Sequence, residues 1–220
     1  MPFQNMFKLK EIAHIIIAII LFAFVINFLS DFNAFLIALL IAFIILAVNI
    51  LAKKITAYYL ETEIEQKIWH FQRWGFFERS HFKKPIPIGI LLPFLAIWLS
   101  YPYGFLKVLT FLQFDPKPMS ARVAKRHGLY RYSELTEFHI AAIAAAGIFA
   151  TLVLAVISYF FGGYASWILT LTSFSVYYSL WNLIPISQLD GCKVFFGSRI
   201  LWIILVVLSL IGLGFALLVV

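Results

Sequence analysis

Charged residues are scarce in this sequence, and long uncharged stretches take their place. Asp, Glu, Lys and Arg make up 12% of the 220 residues and hydrophobic residues make up 63%, whereas a soluble domain carries about 25% charged residues. A chain of this composition cannot cover a water-facing surface, so the sequence indicates an integral membrane protein. Its formal charge of +7 is explained by the Lys and Arg that membrane proteins concentrate in cytoplasmic loops, and it predicts no nucleic-acid partner.

Cysteine is almost absent as well. The single Cys192 excludes an intrachain disulfide and a zinc site built from several thiolates. A cleaved signal peptide is not indicated either, because no small-residue cleavage site follows the first apolar segment. We therefore expect that segment to remain as the first membrane helix.

Apolar segments long enough to cross a bilayer, about 20 residues each, recur along the chain. They span residues 12–29, 34–52, 138–161, 164–184 and 199–220. A further apolar region, residues 86–114, is interrupted by proline and glycine. The sequence predicts a single all-α, polytopic membrane domain over residues 1–220, with about six transmembrane helices and a broken or re-entrant hairpin.

Basic residues are concentrated in two loops. They are Lys53, Lys54, Lys67, Arg73, Arg79, Lys83 and Lys84 in the first loop, and Lys117, Arg122, Lys125, Arg126 and Arg131 in the second. The positive-inside rule places both loops, together with the N-terminus, in the cytoplasm. The intervening residues 86–114 must then enter and leave the membrane on one face, as two short helices or a re-entrant segment that packs against the bundle. The alternative is one kinked span, with residues 117–131 on the outside.

Three shorter segments carry weaker signals. Residues 61–84 are predicted to lie at the cytoplasmic interface, and their periodicity leaves helix and strand open. Residues 115–135 are predicted to form a basic cytoplasmic loop near anionic lipid head groups rather than an RNA-binding segment. Residues 140–150 are mostly Ala and Ile with one Gly. Small residues let helices approach closely in lipid, so this helix is predicted to lie at the centre of the bundle.

A polar stretch, "WNLIPISQLDGCKVFFGSR", covers residues 181–199. It follows an apolar segment through Asn182 and meets Pro185, which disfavours helix in the residue before it. Gly191 permits a turn conformation that other residues avoid. Asp190 is therefore predicted to lie at a break in a membrane helix, where membrane proteins bind ions or carry out chemistry. The other interpretation is an interfacial Asp at an ordinary helix end.

A second polar pair lies near the end of the segment at residues 34–52. Asn49 and Lys53 are four residues apart, so they project from one face of a helix. Both this segment and the one that leads to Asp190 are predicted to run from outside to inside. We therefore expect Asn49, Lys53 and Asp190 to lie at a similar depth, in the inner half of the membrane.

These stretches resemble the site-2 protease family of intramembrane zinc metalloproteases. "NLIPISQLDG" at residues 182–191 resembles the family's Asn-Leu-hydrophobic-Pro and Leu-Asp-Gly motif, and "IAAAGIFATLVLA" at residues 143–155 resembles its Ala-Gly-Pro-Leu-x-Asn helix. "VNILAKKITAYYL" at residues 48–60 lines up with its zinc-binding His-Glu-Leu-x-His helix. The order and spacing agree over most of the chain. The resemblance implies a bundle of membrane helices with one structural site. The residues of that site that match the family's motifs are Asn182, Pro185, Asp190, Gly191 and Gly147.

Two departures from the family pattern fall in the small-residue helix, where Ile148 stands in place of Pro and Thr151 in place of Asn. The others fall on the catalytic positions. In the family two histidines and the aspartate bind zinc and a glutamate is the general base. Here Asn49 and Lys53 stand in place of the histidines, Ile50 stands in place of the glutamate, and only Asp190 is retained. A lysine ammonium has no free lone pair for zinc. None of the five histidines recreates two ligands four residues apart near Asp190. We therefore expect no metal cofactor and no catalytic residue.

The replacements lead to a specific hypothesis. We expect the Lys53 ammonium to pair with the Asp190 carboxylate, because an unpaired charge inside a membrane is costly, and we expect the Asn49 amide to donate to the same carboxylate. Lys54 is expected to extend to the inner interface. The chain is then predicted to be a pseudoprotease, embedded in the lipid bilayer, whose partner is a transmembrane client segment. The alternatives are an active metalloprotease with atypical ligands and an ion- or proton-translocating protein.

Overall fold

The computed structural model describes residues 8–27, 31–73, 81–100, 107–119 and 135–218. Within these residues the chain is mostly helical and carries a few short strands. The helices are α1 (Leu9–Ile26), α2 (Phe32–Tyr59), α3 (Ile88–Ser100), α4 (Glu137–Phe160), α5 (Ser166–Leu183), α6 (Asp190–Gly197) and α7 (Arg199–Leu218). The strands are β1 (Thr62–Ile68), β2 (Phe71–Arg73), β3 (His81–Ile86) and β4 (Leu112–Pro118).

Four helices are long and apolar enough to cross a membrane. They are α1, α2, α4 and α7, and they give the described chain the character of a membrane protein. The prediction of about six spans is not met within the described ranges. Helix α5 has 18 residues but carries Thr172, Ser175, Ser179 and Asn182 along its length. Helix α3 has 13 residues and is therefore about 20 Å long, shorter than the hydrocarbon layer of about 30 Å.

In its described parts, residues 86–100 and 107–114, the region 86–114 forms one helix rather than two. Helix α3 occupies the first part, and the chain from residue 107 is extended and continues into β4. The ring of Phe94 lies 5.3 Å from the ring of Phe24 on α1, and Lys107 Nζ donates to the carbonyl of Ile26, the last residue of α1, at 3.3 Å. The segment thus follows α1 to its C-terminal end and returns beside it.

The extended return is covered by protein. Every side chain from Val108 to Phe114 is buried, as extended backbone at membrane depth requires. Its burial agrees with the prediction that this segment packs against the bundle. Its position relative to the bilayer stays a prediction.

Two small antiparallel sheets accompany the helices, so the fold is not purely α-helical. Strands β1 and β4 pair from Thr62 with Pro118 to Ile68 with Leu112, and β2 pairs with β3. In β1 alternate side chains are buried, the pattern of a strand with one covered face. The predicted interfacial segment 61–84 is therefore strand where it is described. Residues 74–80 and, of the predicted basic loop, residues 120–134 lie outside the described residues.

Helix α4 occupies the position predicted for the small-residue helix. It packs against α2, α5, α6 and α7. Two buried hydroxyl pairs join it to α5: Thr151 with Ser179 at 2.6 Å and Ser158 with Thr172 at 2.8 Å. Such pairs stabilise helix contacts where no water competes for the hydroxyls. They fix the position of α4 relative to α5.

Candidate functional site

The helix break predicted near Pro185 is present. Helix α5 ends at Leu183 and α6 begins at Asp190. Between them Pro185 is exposed and Ser187 adopts a left-handed conformation with φ 53°. Asp190 is the first residue of α6, fully buried, and the positive end of the helix dipole favours its carboxylate there.

Gly191 is needed for close packing rather than for a turn. It lies within α6, and a Cβ at this position would stand 2.2 Å from the Leu183 carbonyl oxygen. The expectation that Gly191 adopts a turn conformation is therefore wrong. The absence of a side chain lets the start of α6 rest directly on the backbone at the end of α5.

The backbone freed at this break finds side-chain donors. Trp202 Nε1 donates to the Leu183 carbonyl at 2.9 Å. Asn182, one residue earlier, is buried and donates from Nδ2 to the Tyr178 carbonyl at 2.8 Å. Both bonds hold the end of α5, and with it the loop that leads to Asp190.

Lys53 and Asp190 form the ion pair that the sequence predicted. Lys53 Nζ contacts Asp190 Oδ2, and the two side chains are 2% and 0% exposed. Lys53 lies 21 residues into α2, about 32 Å along the axis. The pair therefore lies near the end of the membrane-spanning part of α2, and it links α2 to α6.

Gly147 makes room for this ion pair. A Cβ on Gly147 would lie 2.5 Å from Lys53 Cε and 2.8 Å from Lys53 Cγ. The lysine stem therefore crosses α4 in contact with the glycine backbone. Helix α2, the small-residue helix α4 and the start of α6 meet at this point.

Asn49 does not take the predicted role. Its amide is buried, and Nδ2 has no hydrogen-bond acceptor within the described part of the chain. The amide lies against α4, 3.0 Å from where a Gly147 Cβ would stand. The prediction that it donates to Asp190 is wrong, because the short side chain does not reach as far as the lysine one turn below. Ile50, in place of the family's general base, packs in the apolar core.

A second cation lies beside the pair, and the sequence reasoning missed it. Lys193 Nζ donates to the carbonyl of Phe114 and lies 3.6 Å from the centroid of the Phe114 ring, while Lys53 Nζ lies 5.4 Å from the same centroid. Burial lowers the pKa of the Lys193 ammonium to about 8, against the opposing effect of Asp190. Lys193 is on α6, outside the four spanning helices. Its spacing of three residues from Asp190 could have indicated that they share a helix face.

Lys54 is buried, not interfacial. Its Nζ donates to Glu11 Oε2 at 2.9 Å, and the two side chains are 5% and 3% exposed. The backbone N–H of Gln66 on β1 donates to Glu11 Oε1 at 3.1 Å. The prediction that Lys54 reaches the inner interface is wrong, because α1 and β1 cover this side of α2. No local sequence pattern indicates that Glu11 is the partner of Lys54.

The residues around Asp190 do not fit a zinc ion. Within the described ranges, no three His, Cys, Asp or Glu side chains are grouped closely enough to hold a metal. The Asp190 carboxylate contacts the ammonium of Lys53, a second ammonium, that of Lys193, lies close by, and the amide of Asn49 lies beside Gly147. An ammonium repels a divalent cation and an amide nitrogen is not a zinc ligand in proteins. The chemistry of this donor set opposes metal binding at Asp190.

Comparison with known proteins does not assign the chain to a family. No family model matches it, and neither any curated protein nor any solved structure is significantly similar to it.

Proposed function

We propose that this chain is a catalytically inactive membrane protein of site-2 protease type, a pseudoprotease that binds or regulates transmembrane client segments. One observation carries the proposal. Three separate stretches of sequence resemble that family, and residues from all three, Lys53, Gly147 and Asp190, meet at one buried point. Their convergence agrees with a site of the family's arrangement.

The chemistry of the point supports inactivity. Hydrolysis of a peptide needs an activated water and a base to take its proton. The Asp190 carboxylate is neutralised by Lys53, Ile50 cannot accept a proton, and Asn49 is neither an acid nor a base at neutral pH. A fixed lysine–carboxylate pair supplies neither the Lewis acid nor the base. In this proposal the bundle keeps a place for a client segment, and the basic segments and the N-terminus face the cytoplasm.

The retained helix break suggests which clients would bind. A membrane segment with a locally unwound backbone needs hydrogen-bond partners in lipid. At the break between α5 and α6 the residues Pro185 and Ile186 are exposed. Ile186 bonds within the break at both its N–H and its carbonyl, so the partner on offer is a carbonyl such as that of Pro185. A client with a Gly-Pro break could use such groups. A continuous helix satisfies its own backbone and has less to gain.

Two synthetic peptides test the proposal. Both are 22-residue Leu-Ala helices with a fluorophore, one continuous and one with a central Gly-Pro, added to the full chain in nanodiscs. We expect energy transfer from a label at the C-terminus of the chain to the peptide with the central Gly-Pro to be at least severalfold greater than transfer to the continuous peptide. Mass spectrometry should show that both peptides stay intact. Cleavage of either peptide would support the active metalloprotease instead. Equal transfer to both would contradict the client proposal.

Ion or proton translocation is a second candidate, because one carboxylate and two ammonium groups share a buried site. Proteoliposomes loaded with a pH-sensitive dye distinguish it. A proton flux that responds to voltage and is abolished in Asp190→Asn would favour translocation over client binding.

A further inference from the structure

Most described lysines have a partner within the chain. Their partners are Glu65 for Lys8 and Lys117, Asp190 for Lys53, Glu11 for Lys54, Asp115 for Lys67, the Ile26 carbonyl for Lys107 and the Phe114 carbonyl for Lys193. Two adjacent lysines on β3, Lys83 and Lys84, are exposed and make no ion pair with any described residue. Their side chains project from opposite faces of the strand, but together they leave a local excess of positive charge that attracts an external anion.

A large apolar face follows these two lysines. Helix α3 exposes Leu91, Leu95, Trp98 and Leu99, at the spacing that places side chains on one helix face. Trp98 is 77% exposed. The opposite face of α3 is buried against the protein.

The two features lie in sequence along one path into the apolar layer. At the start of α3, Gly89 N donates to the Trp69 carbonyl at 2.9 Å, beside the end of β1. Further along, Phe94 meets Phe24 on the spanning helix α1. Lys83 and Lys84 therefore lie just before the point where the chain begins to follow a membrane helix.

We propose that β3 and α3 form a binding surface for an anionic phospholipid. Lys83 and Lys84 supply the positive charge that attracts the anionic head group, and the acyl chains lie along Leu91, Leu95, Trp98 and Leu99. The partner is fixed by charge and by polarity, since it must be negative at one end and apolar over the length of α3. A zwitterionic lipid supplies the apolar part without the net charge. The proposal is independent of the pseudoprotease function.

Trp98 provides an intrinsic reporter for the test. The full chain is purified in nonionic micelles and titrated with acyl-brominated phosphatidylglycerol or phosphatidylcholine, which quench tryptophan fluorescence. The same titration of Trp98→Phe is subtracted, and the difference is the quenching of Trp98. We expect phosphatidylglycerol to quench at much lower concentration. The double variant Lys83→Gln/Lys84→Gln should raise its half-quenching concentration about twentyfold, since a lysine near an anionic surface contributes about fivefold in affinity.

Controls decide between this site and general charge. Lys10→Gln removes one exposed charge from α1 and should change the half-quenching concentration far less than Lys84→Gln. Thermal unfolding midpoints show whether each variant is folded. The proposal is overturned by equal quenching by the two lipids, by an unchanged preference in the double variant, or by equal effects of Lys10→Gln and Lys84→Gln. It is also overturned if millimolar inorganic phosphate abolishes the preference, because the site would then bind the free anion.

Discussion

Two adjacent lysines on α2 form two different ion pairs. Lys54 meets Glu11, whose carboxylate also accepts the backbone N–H of Gln66, so that pair ties α1, α2 and β1 together. Lys53 meets Asp190, and no hydrogen bond to this carboxylate comes from any other described residue. Beside it lie the unpartnered Asn49 amide and the bare backbone of Gly147. Buried polar groups are usually satisfied, and exceptions concentrate at functional sites. The first pair is a structural link, and the second is the site that we propose to be a former active site.

The largest expected effect is the loss of one partner from the second pair. Lys53→Met leaves the Asp190 carboxylate buried without its ion-pair partner, and we expect a loss of about 3–5 kcal/mol in the free energy of unfolding. Adding Asp190→Asn should restore much of it, because the charge is removed as well. Unfolding by SDS titration in mixed micelles measures both. Equal losses in the single and double variants would show that the two groups are not coupled.

Lys54→Met should be less destabilising than Lys53→Met. Glu11 keeps the hydrogen bond from Gln66 after the lysine is removed, and a hydrogen bond to a charged group contributes about 1.5–3 kcal/mol. We therefore expect a loss of about 2–3 kcal/mol in the same titration. A loss larger than that of Lys53→Met would contradict this expectation. It would show that Glu11 depends more on its lysine than Asp190 does.

The sequence predicted the second pair and missed the first for a physical reason. Lys53 and Asp190 are far apart in the sequence, but the resemblance to the site-2 protease family aligns both positions with one site, and a buried Asp at a helix break needs a counter-charge. The first pair depends on how α1 and β1 pack on α2, and Glu11 and Lys54 are 43 residues apart. The same limit applies to the sheet. The alternation in β1 indicates a strand, but nothing local indicates that its partner is β4, about 50 residues later.

The long spans were predictable from the length of the apolar segments, and the helix break was predictable from proline. The number of spans could not be predicted. The polar side chains of α5 face α4 as hydroxyl pairs, and the extended return beside α1 lies inside protein. Both depend on tertiary contacts that hydropathy does not contain.

Gly147→Ala should have an intermediate effect that depends on Lys53. The new methyl group would overlap the lysine stem, and overpacking of this kind costs about 1–3 kcal/mol. In a Lys53→Ala background the stem is gone and the penalty should largely disappear. The matched control is Gly214→Ala, where a Cβ meets no atom within 4 Å, and which should be neutral or slightly stabilising. A penalty that persists in Lys53→Ala would contradict the role given to Gly147.

The smallest expected effect is a pH dependence at Lys193. Its folded pKa of about 8 lies below the ordinary value of 10.5, so the folded chain releases this proton before the unfolded chain does. Stability should therefore rise by about 1 kcal/mol between pH 7 and pH 9. Lys193→Met should lack this increment when unfolding is compared with wild type at both pH values. An identical pH dependence in the two proteins would place Lys193 outside the buried cluster.

The most direct test of the proposal that the Lys53 ammonium has replaced a zinc ion is to restore the residues of the site-2 protease motif. Zinc per chain is measured by elemental analysis in wild type, in Asn49→His/Ile50→Glu/Lys53→His, and in the same variant with Asp190→Ala. We predict almost no zinc in wild type, close to one per chain in the triple variant, and loss of that zinc when Asp190 is removed. Near-stoichiometric zinc in wild type that disappears in Asp190→Ala would show that the metal was never replaced.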